Sequence, residues 1–315
     1  MSFSQIAKNE LCRIQLENRC CEIAELSGIM KMSGSINIGN KLGMGFKIST
    51  ENPAIARRAF TLIKNIYGKH TEIMVKKNSS LKKNNVYILS ITPDVGAKDI
   101  LVNEGILKES KEGALGFISR ISPSIIKNDC CKMAYLRGAF LGGGSISNPE
   151  KTYHMEFVSS SLEQAEDLMK LINSFSSNAK LIQRKNSFVV YLKEGNHIID
   201  VLSIIGAHTA LLEFENVRIY KEVRNNVNRL VNCETANLNK TVDAAIRQIE
   251  SIKFIKERCG FRKLSPSLKE VAEIRLNYPD ISLKEIGQML NPPIGKSGVN
   301  HRLRKIEKIA EELRD

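Results

Sequence analysis

The side chains best suited to chemistry lie near the C-terminus, in GKSGVNHRLRKIEK (295–308). Asn300 and Arg302 are residue types that pair with base edges in the major groove of DNA. Arg304, Lys305 and Lys308 follow, with Lys296 and His301 nearby, and are suited to phosphate oxygens. The free backbone N–H groups of Ser297 and Gly298, at the start of a helix, could take another phosphate. This is recognition chemistry rather than bond-breaking chemistry, and its ligand would be double-stranded DNA. Gly295-Lys296-Ser297 also resembles the end of a nucleotide-binding loop. That loop needs a glycine at 290, after a strand; Leu290 stands there, at the end of a helical pattern, so no nucleotide binding is assigned.

The elements that must position these residues can be read around them. Val299, Leu303, Ile306, Ala310 and Leu313 recur at helical spacing, so a helix beginning near Ser297 would turn its basic face outward. Two SLKE capping boxes, Ser267–Glu270 and Ser282–Glu285, would each open a helix. Leu283, Ile286, Gly287 and Leu290 form one face of the second, which Pro292 and Pro293 end. Three short helices, a glycine at their crossing and a basic last helix make a helix-turn-helix over 261–315, its turn lengthened by a residue or two.

Other chemistries are poorly supplied. The seven cysteines (12, 20, 21, 130, 131, 233 and 259) contain no C-x-x-C pair, and the five histidines lack ligand spacing. No metal, cofactor or disulfide framework is expected. No apolar run approaches the roughly 20 residues of a membrane helix, and Lys8, Glu10 and Arg13 interrupt any signal-like start, so a cytoplasmic protein is expected. The net charge of +13 is uneven: +7 over residues 1–129, zero over 130–220 and +5 over 253–315. A polyanionic partner follows most simply.

The second signal is a repeat. CCEIAELSGIMKMSGSI (20–36) and CCKMAYLRGAFLGGGSI (130–146) align without a gap at an offset of 110, with eight of seventeen positions identical. Each phrase precedes two strand-like runs, a helix-like run, two more strand-like runs and a last helix, so each half reads αββαββα. The expectation is an α+β domain with pseudo-two-fold symmetry. Ala24 and Gly28, like Ala134 and Gly138, lie four residues apart on one helix face. Small residues there imply that the two phrase helices pack closely, with Gly34 and Gly144 side by side at their ends.

LSGIMKMSG (26–34) and LRGAFLGGG (136–144) resemble the LAGLIDADG motif of homing endonucleases. The resemblance implies two central helices flanked by four-stranded saddles, with an acid at each penultimate motif position holding the metal ions that cut DNA. Here those positions are Ser33 and Gly143, and the sixth positions are Lys31 and Leu141. Glu22 and Glu25 stand two or more turns back. Since Mg²⁺ chemistry needs carboxylate oxygens, no catalysis is expected.

The acid-free double motif, joined to SLKEIGQMLNPPIGKSGVNHRLRKI, resembles the WhiA family of bacterial sporulation and cell-division regulators across essentially the whole chain. The organisation expected is a degenerate LAGLIDADG-like domain over 1–220 (repeats about 20–110 and 130–210), an asparagine-interrupted helical linker over 221–260, and the helix-turn-helix. Membership implies a nucleoid-associated regulator of transcription or division that does not cut DNA. A different reading stays open: a scaffold whose repeat domain docks a protein or small ligand, DNA binding being secondary. The charge-neutral second repeat favours it. The target site, the direction of regulation and the oligomeric state are not encoded in any motif.

Overall fold

A computed structural model describes residues 1–39, 43–77, 85–110 and 114–314. The chain divides into two compact units, Met1–Lys221 and Glu222–Asp315.

The first unit opens with α1 (Phe3–Leu11), whose Ser2 and Gln5 cap each other. The first half follows as α2 (Arg19–Ser33), β1 (Gly34–Gly39), β2 (Gly43–Thr50), α3 (Pro53–Tyr67), β3 (Glu72–Lys77), β4 (Asn85–Ile91) and α4 (Ala97–Asn103). A short hairpin, β5 (Leu107–Glu109) and β6 (Leu115–Phe117), leads to the second half. That half is α5 (Asp129–Gly143), β7 (Gly144–Ile146), β8 (Met155–Ser159), α6 (Leu162–Asn173), β9 (Lys180–Arg184), β10 (Ser187–Leu192) and α7 (Gly195–Ile205). Both halves are αββαββα, as expected from the repeat.

Each half builds a four-stranded antiparallel sheet, in the orders β1-β2-β4-β3 and β7-β8-β10-β9. Alternation along the strands turns Phe46, Ile48, Leu89 and Ile91 inward in the first, and Met155, Phe157, Val190 and Leu192 in the second. The apolar stripe of α3 (Ile55, Ala59, Leu62, Ile63, Ile66) packs on one sheet and that of α6 (Ala165, Leu168, Leu171, Ile172) on the other. Local chemistry sets the ends of α3: Asn52 accepts the Ala54 N–H, Pro53 takes the first position, and Gly68 closes it at φ 64°. Between the halves, α2 and α5 are buried from their second turn onward, where small and apolar residues are joined by a buried charged pair, Glu25 on α2 and Arg137 on α5.

The helix α8 (His208–Cys259) runs unbroken for 52 residues from the first unit into the second. The asparagines between 225 and 239 were expected to interrupt it and do not. An exposed asparagine costs a helix only a few tenths of a kcal/mol more than a good helix former, and every residue from 222 to 243 is exposed. In the second unit Ile252 and Ile255, near the end of α8, join a core with α9 (Pro266–Asn277), α10 (Leu283–Met289) and α11 (Lys296–Glu312).

The two SLKE segments differ. Ser282 and Glu285 form the reciprocal capping box that opens α10. Ser267 does not: α9 begins at Pro266, with Ser265 at the cap position, and the Ser265 hydroxyl meets the Ser267 hydroxyl at 3.3 Å instead of capping a backbone N–H. Proline's missing N–H costs nothing at that first position, so it fixes the start. Glu270 instead accepts the Asn291 N–H at 3.1 Å. Among the described residues no helix is long and apolar enough to cross a membrane.

Candidate functional site

The two motif helices approach closely. A Cβ on Gly28 would lie 2.5 Å from the Tyr135 carbonyl oxygen, and one on Gly138 would lie 2.0 Å from that of Glu25. Both contacts are to backbone that cannot swing aside. Ala24 and Ala134 are buried on these same helices. Gly34 and Gly144 are tight for a different reason: their close neighbours are Phe46 and Met30 for one and Phe140 for the other, all within their own halves.

The helix ends where the resemblance would place metal-binding acids have other occupants. The Ser33 hydroxyl donates to the Ile29 carbonyl, one turn back, at 2.7 Å. At Gly143 a Cβ would meet the Met32 methyl at 2.6 Å, which can swing aside, and the Val158 carbonyl oxygen at 3.0 Å, so an aspartate there needs Met32 to turn away and the backbone to yield by a few tenths of an ångström. Lys31 Nζ donates to the carbonyls of Ile118 (2.8 Å) and Arg120, and burial lowers its pKa to about 8. Lys8 Nζ donates to the Leu141 carbonyl at 3.2 Å and lies over the Phe140 ring; burial brings it to about 8 as well. Both amines are thus taken up by backbone carbonyls, and neither motif helix ends in the carboxylate that divalent-cation chemistry would want.

The acids farther back are committed to structure. Glu25, fully buried, is clamped by Arg58 (Nε–Oε1 2.6 Å) and Arg137 (Nη1–Oε2 3.1 Å), and Arg137 Nε also donates to the Ile205 carbonyl at 2.7 Å. Glu22 accepts from Asn65. Glu104 is also buried: the Tyr67 hydroxyl donates to one of its oxygens at 2.7 Å and the other has no partner among the described residues. Desolvation raises this carboxyl to about 8.

In the second unit α11 buries Val299, Leu303, Ile306 and Ala310 and turns Lys296, Ser297, His301, Arg304, Lys305 and Lys308 to solvent. Asn300, Gly298 and Arg302 are half-buried; Arg302 Nη1 reaches the Ser267 carbonyl at a long 3.4 Å. The helix starts after Gly295 with no side-chain cap, leaving the first-turn N–H groups of Lys296, Ser297 and Gly298 without a capping oxygen. The approach of α10 depends on Gly287, whose Cβ would fall 2.2 Å from the Ile294 carbonyl oxygen and 3.3 Å from Val299 on α11. All nine residues expected to touch DNA thus lie in α11: six are exposed, while Gly298 and the two candidates for base edges, Asn300 and Arg302, are half-buried.

One cluster was missed from sequence. Cys20, Cys21, Cys130 and Cys131 come together at the starts of α2 and α5, their four sulfurs all within 4.8 Å of one another. Cys21 and Cys131 are buried, Cys130 is half-buried and Cys20 is exposed. Burial pushes the Cys131 thiol up to about 11 and raises that of Cys21 as well. The available signal was the doubled Cys-Cys at the head of each repeat; a search for ligand pairs within one segment passes over it.

Comparison with known proteins accounts for the whole architecture. Family models for the WhiA N-terminal LAGLIDADG-like domain, the WhiA LAGLIDADG-like domain and the WhiA C-terminal HTH domain match residues 19–107, 132–224 and 227–310. A "Probable cell division protein WhiA" of Clostridium novyi (strain NT) is 59% identical over 314 residues, covering 100% of this chain and 99% of that one. The chain belongs to the WhiA family. A second WhiA relative, from Alkaliphilus metalliredigens (strain QYMF), is 54% identical over the same span and is likewise called a probable cell division protein. Among solved structures, full-length DUF199/WhiA from Thermatoga maritima matches with a TM-score of 0.60 at 29% identity, covering 99% of each chain. A WhiA chain thus combines a LAGLIDADG-like repeat domain with a helix-turn-helix.

Proposed function

We propose that this WhiA chain is a DNA-binding regulator, acting in transcription, sporulation or cell-division control, that does not cut DNA. The observation that carries the reading is α11: its apolar side is fully used by the core, and its opposite side is a row of cations beginning at an uncapped helix start. Such a helix suits the major groove, with Asn300 and Arg302 toward base edges and Arg304, Lys305 and Lys308 toward phosphates. Lys296 and His301 add charge beside the N–H groups of Ser297 and Gly298. The relatives' description as probable cell division proteins supports the process. A cytoplasmic, nucleoid-associated location follows from the partner. Loss of catalysis is supported by Ser33 and Gly143, which leave no carboxylate at the end of either motif helix, and by the tight surroundings of Gly143.

The repeat domain leaves room for a second reading, a docking scaffold for a protein or ligand. On the second sheet Glu156 accepts from Ser145 at 3.2 Å and pairs with His154, and Arg184 stands 3.8 Å from it. A carboxylate in that position suits a mixed-charge partner better than a phosphate backbone.

Fluorescence anisotropy with a labelled genomic duplex tests the main reading. Arg302→Ala with Arg304→Ala should weaken binding at least tenfold, while Ser33→Ala leaves it unchanged. Equal affinity in all three proteins would refute the assignment to α11.

A further inference from the structure

The repeat creates a site that neither half contains. Cys20 and Cys21 occupy the second and third positions of α2, after Asn18; Cys130 and Cys131 occupy the same positions of α5, after Asn128. Because the helices are related by pseudo-symmetry and pack through Gly28 and Gly138, their starts bring the two thiol pairs together. The Cys130 and Cys131 sulfurs are 3.9 Å apart, and none of the four is more than 4.8 Å from another.

That spacing distinguishes among occupants. Four thiolates around one ion, with metal–sulfur bonds of about 2.3 Å, stand about 3.8 Å from one another. The observed set needs only a small contraction to reach this. An iron–sulfur cluster would put inorganic sulfide between its thiolates and hold them farther apart. A disulfide would use two of the sulfurs and leave two.

We propose that Cys20, Cys21, Cys130 and Cys131 form a tetrathiolate site for a single thiophilic metal ion, Zn²⁺ foremost, that clamps the two motif helices at their starts. Thiolate sulfur selects soft or borderline ions such as Zn²⁺ over Mg²⁺ or Ca²⁺. On binding, four metal–sulfur bonds form, the thiol protons pass to solvent, and no electrons move. The resulting excess negative charge would face the first turns of two helices, neither of whose cap asparagines bonds to them. With all four positions taken by protein the ion has no open coordination site, so its role is structural rather than catalytic. It would join residues 110 positions apart, at the end opposite the lost acids. Exposed Cys20 and half-buried Cys130 leave a route for the ion to enter.

The test uses the full chain, purified under reducing conditions, stripped with chelator, and titrated separately with Zn²⁺ and Co²⁺. The expected result is one Zn²⁺ per chain retained through gel filtration and a higher Tm with metal bound. Co²⁺ should give the intense visible bands of a tetrahedral site, with sulfur-to-cobalt charge transfer scaled to four thiolates. Cys20→Ser with Cys130→Ser should lower Zn²⁺ affinity at least tenfold, whereas Cys233→Ser, on exposed α8, should not. If the double variant unfolds, the wild-type cobalt spectrum still counts the thiolates. No retained metal while all seven thiols titrate as free would overturn the proposal. So would a loss of titratable thiols through disulfide formation in the reduced preparation, or equal metal content in the double variant.

Discussion

Gly138→Ala isolates the contact on which the repeat domain is built. In an exposed helix the change would stabilise by about 1 kcal/mol, because alanine is the better helix former. Here the added carbon would stand 2.0 Å from the Glu25 carbonyl oxygen and 2.9 Å from its carbonyl carbon. Since a carbon and an oxygen need roughly 3.2 Å, α2 and α5 must part by about 1 Å. Overpacking of this kind costs about 1–3 kcal/mol or more. The same movement pulls Glu25 from Arg137, which share a 3.1 Å ion pair on these two helices. A net loss of about 2 kcal/mol is expected, and Gly28→Ala should behave similarly. Gly195→Ala is the control: its nearest neighbours would be at 3.6 Å, ordinary contact, so stability should hold or rise. Urea unfolding followed by circular dichroism at 222 nm reads all three. If Gly138→Ala is as stable as Gly195→Ala, the helices are not in backbone contact and the reasoning fails.

Other consequences can be checked in the same assays. Glu104 keeps its proton when folded up to about pH 8, against its usual 4.5. Stability should therefore fall as pH rises between those values, by up to about 1.4 kcal/mol per pH unit; Glu104→Gln should flatten this slope, and an unchanged slope would contradict the assignment. Lys8 and Lys31, lowered to about 8, act above that window and with the opposite sign, stability rising as pH climbs from 8 toward 10.5. Glu25→Ala should cost about 3–5 kcal/mol, because it leaves two buried guanidinium groups without their counter-charge. A loss under 1 kcal/mol would mean that Arg58 and Arg137 find solvent instead. Restoring acids with Ser33→Asp and Gly143→Asp should destabilise the chain without producing Mg²⁺-dependent nicking of plasmid DNA; nicking would show that only the carboxylates had been lost.

Much of this architecture was legible because one phrase occurs twice. The offset of 110 exposed the symmetry, glycines four residues after alanines marked the contact, and strand-like runs after each phrase gave both sheets their four strands. The helix-turn-helix was legible from Val299, Leu303, Ile306 and Ala310, which are all buried. What escaped was decided by neighbours. Ser267 has the pattern of a cap, but Pro266 sets the start of α9. Asparagines near 225–239 look like breaks, yet no glycine or proline supports them and α8 continues. Helix α1 carries its own signal, Phe3, Ala7 and Leu11 at helical spacing behind a Ser2–Gln5 capping box, but it stands outside the doubled phrase; the strands of the hairpin β5–β6, three residues each, are too short to show alternation. The four thiols form a set only across the pseudo-two-fold, which no linear spacing displays.

The central claim is that α11 binds duplex DNA through its exposed cations while the repeat domain does no cutting. Its most direct test is the affinity of the intact chain for duplex DNA, titrated across salt concentrations with Mg²⁺ present. For about 4–6 neutralised phosphates, log K against log salt should fall with a slope of about −4 to −5. Replacing Arg304 and Lys305 by Ala should make the slope shallower by about one unit for each phosphate contact removed, and the DNA should remain uncut. A slope near zero, a slope indifferent to those two residues, or cleaved DNA would contradict the account.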